Sequence, residues 1–334
     1  MIKPIHNCII NKNTTIKPVW FMRQAGRYLP EFRKIRSLNP NFINLCLNKN
    51  LSKTITLQPL KRFDLSAAII FSDILMVPYG LNQKVVFKKN FGPKLGNINL
   101  KQLSKQSRKE FIKKLNPVYN CIKEVRSNKL INNKNLIGFV GAPWTLLVYM
   151  INKKSPKKKI KPNFFSNKAT INKLLNKLEI FIKIHIENQI QNGADVIQIF
   201  DSWAGLLDKK KFPKYIYEPT KRIVDYIRSK NIPSICFPRG IKNYKEYVQF
   251  IKPDVISIDH MVDPKIIEKN ISIPVQGGLD PKILLSDKKN IKKEALRYLD
   301  IFKDHPYIFN LGHGVLPETK PMNIDYLVKL VNDY

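Results

Sequence analysis

Acidic residues are scarce in this chain of 334. Asp and Glu number 25 against 59 Lys and Arg, so the formal net charge is +34. Such an excess ordinarily points to nucleic acid, because clustered cations release counterions from a phosphate backbone. Here lysine is spread over the whole length beside abundant Asn and Ile, whose codons are A/T-rich, and no zinc-finger or aromatic RNA-binding motif accompanies it. A coding bias explains that pattern, and no nucleic-acid partner is expected. Cysteine is rare as well: four residues, at 8, 46, 121 and 236, form no CxxC, which argues against a disulfide framework and for reduced thiols. Long apolar runs are missing, as are internal repeats of 20 to 50 residues and the apolar core of a signal peptide. No membrane partner is expected, and the expected location is cytoplasmic.

What is present is a rhythm. Short apolar, β-prone runs recur at 19–22 (VWFM), 67–71, 137–141, 196–200, 234–237, 255–258, 273–277 and 307–311, each followed by a turn and a stretch of helical period. Continuously apolar strands alternating with helices predict a parallel sheet, and eight of them in about 300 residues predict a single α/β domain over 1–334, a (β/α)8 TIM-type barrel. An open doubly wound sheet is the alternative, but no GxGxxG follows the first strand. Only 13 glycines occur, and nine of them (26, 80, 141, 205, 240, 277, 278, 312 and 314) sit at or shortly beyond the predicted strand ends. Barrel active sites lie at that face, so the polar residues there are the candidates.

The densest chemistry is the run MRQAGRYLPEFR at 22–33. Arginine supplies only 11 of the 59 cations, yet Arg23, Arg27, Arg33 and Arg36 fall within fourteen positions. Guanidinium is a planar fork that grips carboxylate or phosphate bidentately, whereas ammonium is a hydrated point charge. Two forks four residues apart can converge on one anion, whether the segment is a helix or turns at Gly26. Pairing with Glu31 and other acids is the plainer alternative.

Five segments together, PVWFMRQAGRYLPEFRKIR (18–36), TLQPLKRFDLSAAIIFSDIL (56–75), GFVGAPWTLLVYM (138–150), GADVIQIFDSWAGLL (193–207) and FNLGHGVLPETKP (309–321), resemble the uroporphyrinogen decarboxylase family. The resemblance implies a single-domain barrel, usually a homodimer, that removes four acetate carboxyls from uroporphyrinogen III as CO₂ and leaves coproporphyrinogen III. It implies no metal and no organic cofactor. Asp73 then matches the central catalytic carboxylate, which would accept pyrrole N–H groups. Arg23 and Arg27 match the carboxylate-binding pair, with Gln24, Ala25 and Gly26 as the loop between them. Tyr149, Ser202 and His313 match the remaining substrate contacts, His313 being able to carry charge near neutral pH. Trp144, Trp203 and Pro143 read as wall packing, and Arg33 and Arg36 as structural.

Each of these has a plainer explanation: a helix cap for Asp73 and for Ser202, a core aromatic for Tyr149, a turn residue for His313. A zinc-dependent corrinoid or thiol methyltransferase on the same barrel is the rival enzyme. It would need a His-x-Cys pair near the fifth strand and a later cysteine. The chain reads Ser234-Ile235-Cys236 there, with no cysteine after it. The basic run at 152–165 is expected to be a solvated loop, or one that borders the mouth and steers an octa-anionic substrate toward it.

Overall fold

The computed structural model describes residues 2–88, 91–156, 160 and 164–334. The centre of the basic run at 152–165 lies outside the described residues.

Seven strands form one parallel sheet: β1 (Ala67–Ile69), β4 (Asn135–Gly141), β5 (Val196–Asp201), β6 (Ser234–Pro238), β7 (Val255–Ile258), β8 (Val275–Gly277) and β9 (Tyr307–Ile308), hydrogen-bonded in that order. Between β1 and β4 a small antiparallel hairpin, β2 (Val85–Lys88) and β3 (Gly92–Leu95), stands apart. Every residue of β4, β6 and β7 is buried, as a parallel sheet covered on both faces requires. Representative pairs are Ile137 with Val196 and Ile199 with Cys236. Helices bridge successive strands, among them Lys168–Gln191 before β5, Glu218–Arg228 before β6 and Lys288–Ile301 before β9.

The expected first strand, 19–22, does not form. Val19 makes a single parallel bridge with Phe309, the Phe309 N–H donates to Pro18 at 2.7 Å, and the Ser66 N–H donates to the Val19 carbonyl at 2.8 Å. The segment therefore hydrogen-bonds just past β9 on one side and just before β1 on the other. It departs from a strand because side chains take its donors. The Val19 N–H goes to Ser66 Oγ, the Phe21 N–H to Gln24 Oε1 and the Met22 N–H to Asn310 Oδ1.

A second feature is polar. Buried Trp20 donates its indole N–H to Gln276 Oε1 at 3.0 Å, and Gln276 Nε2 donates in turn to Gln198 and Ser257. This chain of amides ties the 18–22 segment to β5, β7 and β8 from inside. A buried amide without such partners would cost stability, so the four residues specify one another.

At the amino ends of β4 and β5 the charges are paired. Asp195 receives Lys3 at 2.5 Å and Arg126 at 2.7 Å, with the Leu136 N–H on its other oxygen at 2.9 Å. The amino-terminal helix Pro4–Ile10 is held there by Ile5 N–H on Asn135.

Candidate active site

The chain between Phe21 and Leu29 is a knot of tight turns at the carboxyl end of the sheet. Arg23 sits at φ +62°, in the left-handed region a non-glycine residue seldom enters. Such backbone persists only where its surroundings over-determine it, and often at functional sites. Gln24 supplies much of that constraint. It is buried, its Oε1 accepts from Phe21 N–H, its Nε2 donates to Ala67 in β1, and its carbonyl accepts the Tyr28 hydroxyl. With these polar groups spent inside the protein, Gln24 holds the loop from within. Gly26 is required by the turn, since a Cβ there would lie 2.6 Å from the Arg23 carbonyl oxygen. The Ala25 and Gly26 N–H groups donate to nothing among the described residues, a small nest of the kind that receives anions. Arg33 fastens the loop from behind, donating to the Arg27 and Tyr28 carbonyls, and Arg36 donates to the Asn39 carbonyl. Both also line, with Arg27, Phe32 and Pro317, a pocket of about 340 Å³.

Arg23 and Arg27 have no ion-pair partner among the described residues. Glu31, the obvious candidate, is taken by Arg62. Arg23 lies near Asp73, Arg27, Tyr149 and Arg239, and the loss of water in the cleft holds its guanidinium below its ordinary value even though Asp73 acts the other way. Its stem passes over Gly314, where a Cβ would fall 2.7 Å from Arg23 Cγ.

Asp73 follows β1 by four residues. Its Oδ1 accepts the Leu75 N–H at 2.8 Å, a local turn contact, and Oδ2 has no partner among the described residues. The cap and the site are thus divided between two oxygens of one carboxylate. Loss of water deep in the cleft pushes this carboxyl up to about 6, against the pull of the Leu75 N–H and of Arg23.

Tyr149, on helix Pro143–Asn152, packs edge-on to Trp203 with ring centroids 5.7 Å apart. Its hydroxyl lies near Asp73 and Arg23, and burial raises its pKa, with the Asp73 carboxylate adding to the shift. Ser202 is no helix cap: the short 3₁₀ turn Ala204–Leu206 begins after Trp203 without a side-chain cap, and Ser202 is half-buried just past the end of β5. Asp201 sets that loop. Fully buried, it accepts Thr145 Oγ1 at 2.6 Å, and the same hydroxyl accepts the Trp203 N–H. Burial pushes Asp201 up to about 7. Trp144 is wall, as expected, and also donates its indole N–H to the Trp203 carbonyl at 3.0 Å.

His313 requires a correction. Burial, with Arg23, Arg239 and His260 nearby, pushes its imidazole down to about 3, and Nδ1 accepts the Gly314 N–H at 2.7 Å. In the unliganded protein it is neutral at physiological pH and carries its proton on Nε2, the nitrogen left free to donate.

Arg23, Arg27, Asp73, Tyr149 and His313 thus come together, with loop backbone at Ala25 and Gly26, and Ser202 lies just past the carboxyl end of β5. The family model for uroporphyrinogen decarboxylase (URO-D) matches residues 3–334. The chain belongs to the uroporphyrinogen decarboxylase family. Among curated relatives, "Uroporphyrinogen decarboxylase" of Rickettsia felis is 40% identical over 331 residues, covering 97% of this chain and 95% of that protein. The protein of the same name in Rickettsia bellii is 42% identical over 323 residues, 95% of each. Among solved structures, a methyltransferase from Methanosarcina mazei superposes with a TM-score of 0.73 over 96% of this chain and 92% of its own, at 15% identity, a likeness of fold. The zinc-methyltransferase reading has less behind it, for Cys236 is fully buried and burial pushes its thiol well up. No group of three potential metal ligands converges among the described residues.

Proposed function

We propose that the chain decarboxylates uroporphyrinogen III, converting its four acetate side chains to methyl groups and yielding coproporphyrinogen III in porphyrin and haem biosynthesis. The observation that carries this reading is Asp73. A carboxylate in a cleft, with one oxygen free, the unpaired Arg23 guanidinium beside it and Arg27 next to Arg23, suits a ligand that brings both N–H donors and carboxylates. A tetrapyrrole bends its pyrrole N–H groups toward a common centre and carries eight carboxylates on its rim.

The chemistry follows. Protonating a pyrrole at carbon makes an iminium-like ring. The bond from the acetate CH₂ to its carboxylate then breaks, CO₂ leaves, and the electron pair passes into the ring. The exocyclic carbon takes up a proton to become methyl, and the ring sheds the one it gained. The ring is its own electron sink, so the reading assigns no cofactor. Asp73 in its ionised form accepts the N–H groups and offsets the positive charge of the protonated ring. Arg23 and Arg27 bind carboxylates, since a guanidinium is a poor general acid near neutral pH. The Ala25 and Gly26 N–H groups add to that grip, Tyr149 and Ser202 offer hydroxyl donors, and neutral His313 offers Nε2–H. Gln24 acts by holding the loop.

The finer architecture belongs to the same reading. The 18–20 segment, hydrogen-bonded toward both β9 and β1, fills the eighth position of a closed (β/α)8 barrel comprising one domain over 1–334. A homodimer working in the cytoplasm completes the picture. Anaerobic incubation with enzymatically generated uroporphyrinogen III, followed by separation of eight- to four-carboxyl products, tests the function. The four-carboxyl product is expected, and untouched starting material at high enzyme concentration would sink the proposal.

A further inference from the structure

Four loops at the carboxyl end of the sheet are tied edge to edge. The Gly205 N–H donates to the Arg239 carbonyl at 3.0 Å, and the Gly240 N–H donates to Asp259 Oδ2 at 2.6 Å. Gly312 backs onto the next loop, where a Cβ would stand 2.8 Å from His260 Cα. Gly314 then lies under the Arg23 stem. The path runs from the Ser202 loop round to His313 and Arg23, and Arg239 and His260 are the two side chains on it with no assigned role.

Neither is satisfied by the protein. Asp259, the acid beside Gly240 and His260, is spent locally: Oδ2 also meets the Tyr244 hydroxyl at 3.3 Å, and Oδ1 accepts the Met261 N–H at 2.9 Å. Half-buried Arg239 is anchored through its backbone, its N–H on the Asp201 carbonyl at 3.1 Å. Its guanidinium makes no ion pair and no hydrogen bond among the described residues. His260 Nδ1 is buried without a hydrogen-bond partner among the described residues. Arg239 is close enough to both Arg23 and His313 to lower the pKa of each. Cations brought this near one another, with desolvated donors unused, raise the energy of the empty protein unless an anion comes between them.

We propose that Arg239 and His260 form a second carboxylate-binding subsite, distinct from the Arg23/Arg27 pair, which takes a side-chain carboxylate of the tetrapyrrole between the Ser202 and His313 loops. Arg239 offers the bidentate fork and His260 a single imidazole donor. The subsite explains how a macrocycle with carboxylates on every side is gripped at more than one edge, and it rests on the decarboxylase reading above.

The test separates the two. In an Asp73→Asn background, where turnover is slow, anaerobic binding of uroporphyrinogen III is followed by the fluorescence of Trp203 beside the cleft. Adding Arg239→Met should weaken binding about 10-fold or more, the loss of a charge-assisted contact. Arg239→Lys should recover part of that, and His260→Phe should weaken binding about 3- to 5-fold, as for a single hydrogen bond. Partial rescue by lysine marks a charge that meets the ligand, since a merely structural arginine would show its loss in melting temperature instead. Unchanged affinity in a folded Arg239→Met protein, alongside active wild type, overturns the subsite and leaves the decarboxylase reading intact. Weakened binding with a wild type that releases no CO₂ upholds the subsite and removes the decarboxylase reading.

Discussion

The two ends of the sheet treat charge in opposite ways. At the amino ends of β4 and β5, Asp195 is met by Lys3, Arg126 and a backbone N–H, all within hydrogen-bonding distance. At the carboxyl ends Arg23, Arg27 and Arg239 have no acid partner among the described residues, and Asp73 uses one oxygen on a local N–H. The same few residue types form ion pairs at one end and stand unpaired among the described residues at the other. Burial without compensation is what a protein avoids unless a ligand completes the set. The paired end serves stability, and on the proposed reading the unpaired end serves the substrate.

Breaking the paired end should produce the largest loss of stability and no loss of chemistry. Asp195→Asn removes two charge-assisted contacts from a side chain 17% exposed, and should lower unfolding free energy by about 2–3 kcal/mol, read by chemical denaturation. Breaking the unpaired end should do the reverse. Arg23→Ala should raise KM about 10- to 100-fold with little change in melting temperature, because the folded protein gains nothing from an unpaired guanidinium. A fall in stability matching that of Asp195→Asn would erase the contrast.

Acidity sharpens it. The Asp73 carboxyl is held up to about 6 in the folded protein, above its ordinary value when unfolded, so between these two values the native state binds more protons. Its contribution to stability is therefore present at low pH and is lost as pH rises through about 6. Asp73→Asn should accordingly stabilise the unliganded protein above pH 6, with the gain fading below pH 4, in melting curves taken across pH. Activity needs the ionised form, so kcat/KM should fall about tenfold per unit as pH drops below about 6. A flat profile between pH 5 and 7 would take Asp73 out of that role.

The smallest effect concerns the whole surface. With a net charge of +34 and a polyanionic substrate, kcat/KM should decline a few-fold as salt rises from about 50 to 200 mM while kcat holds. Salt-independent kcat/KM would argue against steering.

Seven of the eight predicted strand runs are strands or contain them, because uninterrupted apolar runs such as 137–141 and 196–200 can be buried on both faces only in such a sheet. The run at 19–22 misled because its pattern is strand-like while its donors are claimed by Ser66, Gln24 and Asn310, residues far off in sequence or outside the run. The β2–β3 hairpin went unpredicted: its partly exposed, lysine-rich strands carry little apolar signal. Asp73, Tyr149 and Ser202 stand out in the sequence through the family resemblance of their segments, since residue type and position alone leave a cap or a core aromatic as good a reading. The burial of Gln24 is not legible in the sequence, since it depends on where Ala67 falls. The neutrality of His313 is equally hidden, because it arises first from burial in the folded chain and then from Arg23, Arg239 and His260, the last two 74 and 53 positions away. Asp201 stood in plain view at the end of β5, but its role in setting the Ser202 loop appears only through Thr145.

The most direct test places the two ends in one assay: anaerobic decarboxylation of uroporphyrinogen III by Asp73→Asn and Asp195→Asn beside the wild type, at a temperature where all three are folded. The account predicts a drop of about 10²- to 10³-fold in turnover for Asp73→Asn, the usual consequence of removing one preorganised electrostatic group, and turnover within about twofold of wild type for Asp195→Asn, whose effect is on stability. Equal losses in the two variants, or wild-type turnover in Asp73→Asn, would contradict it.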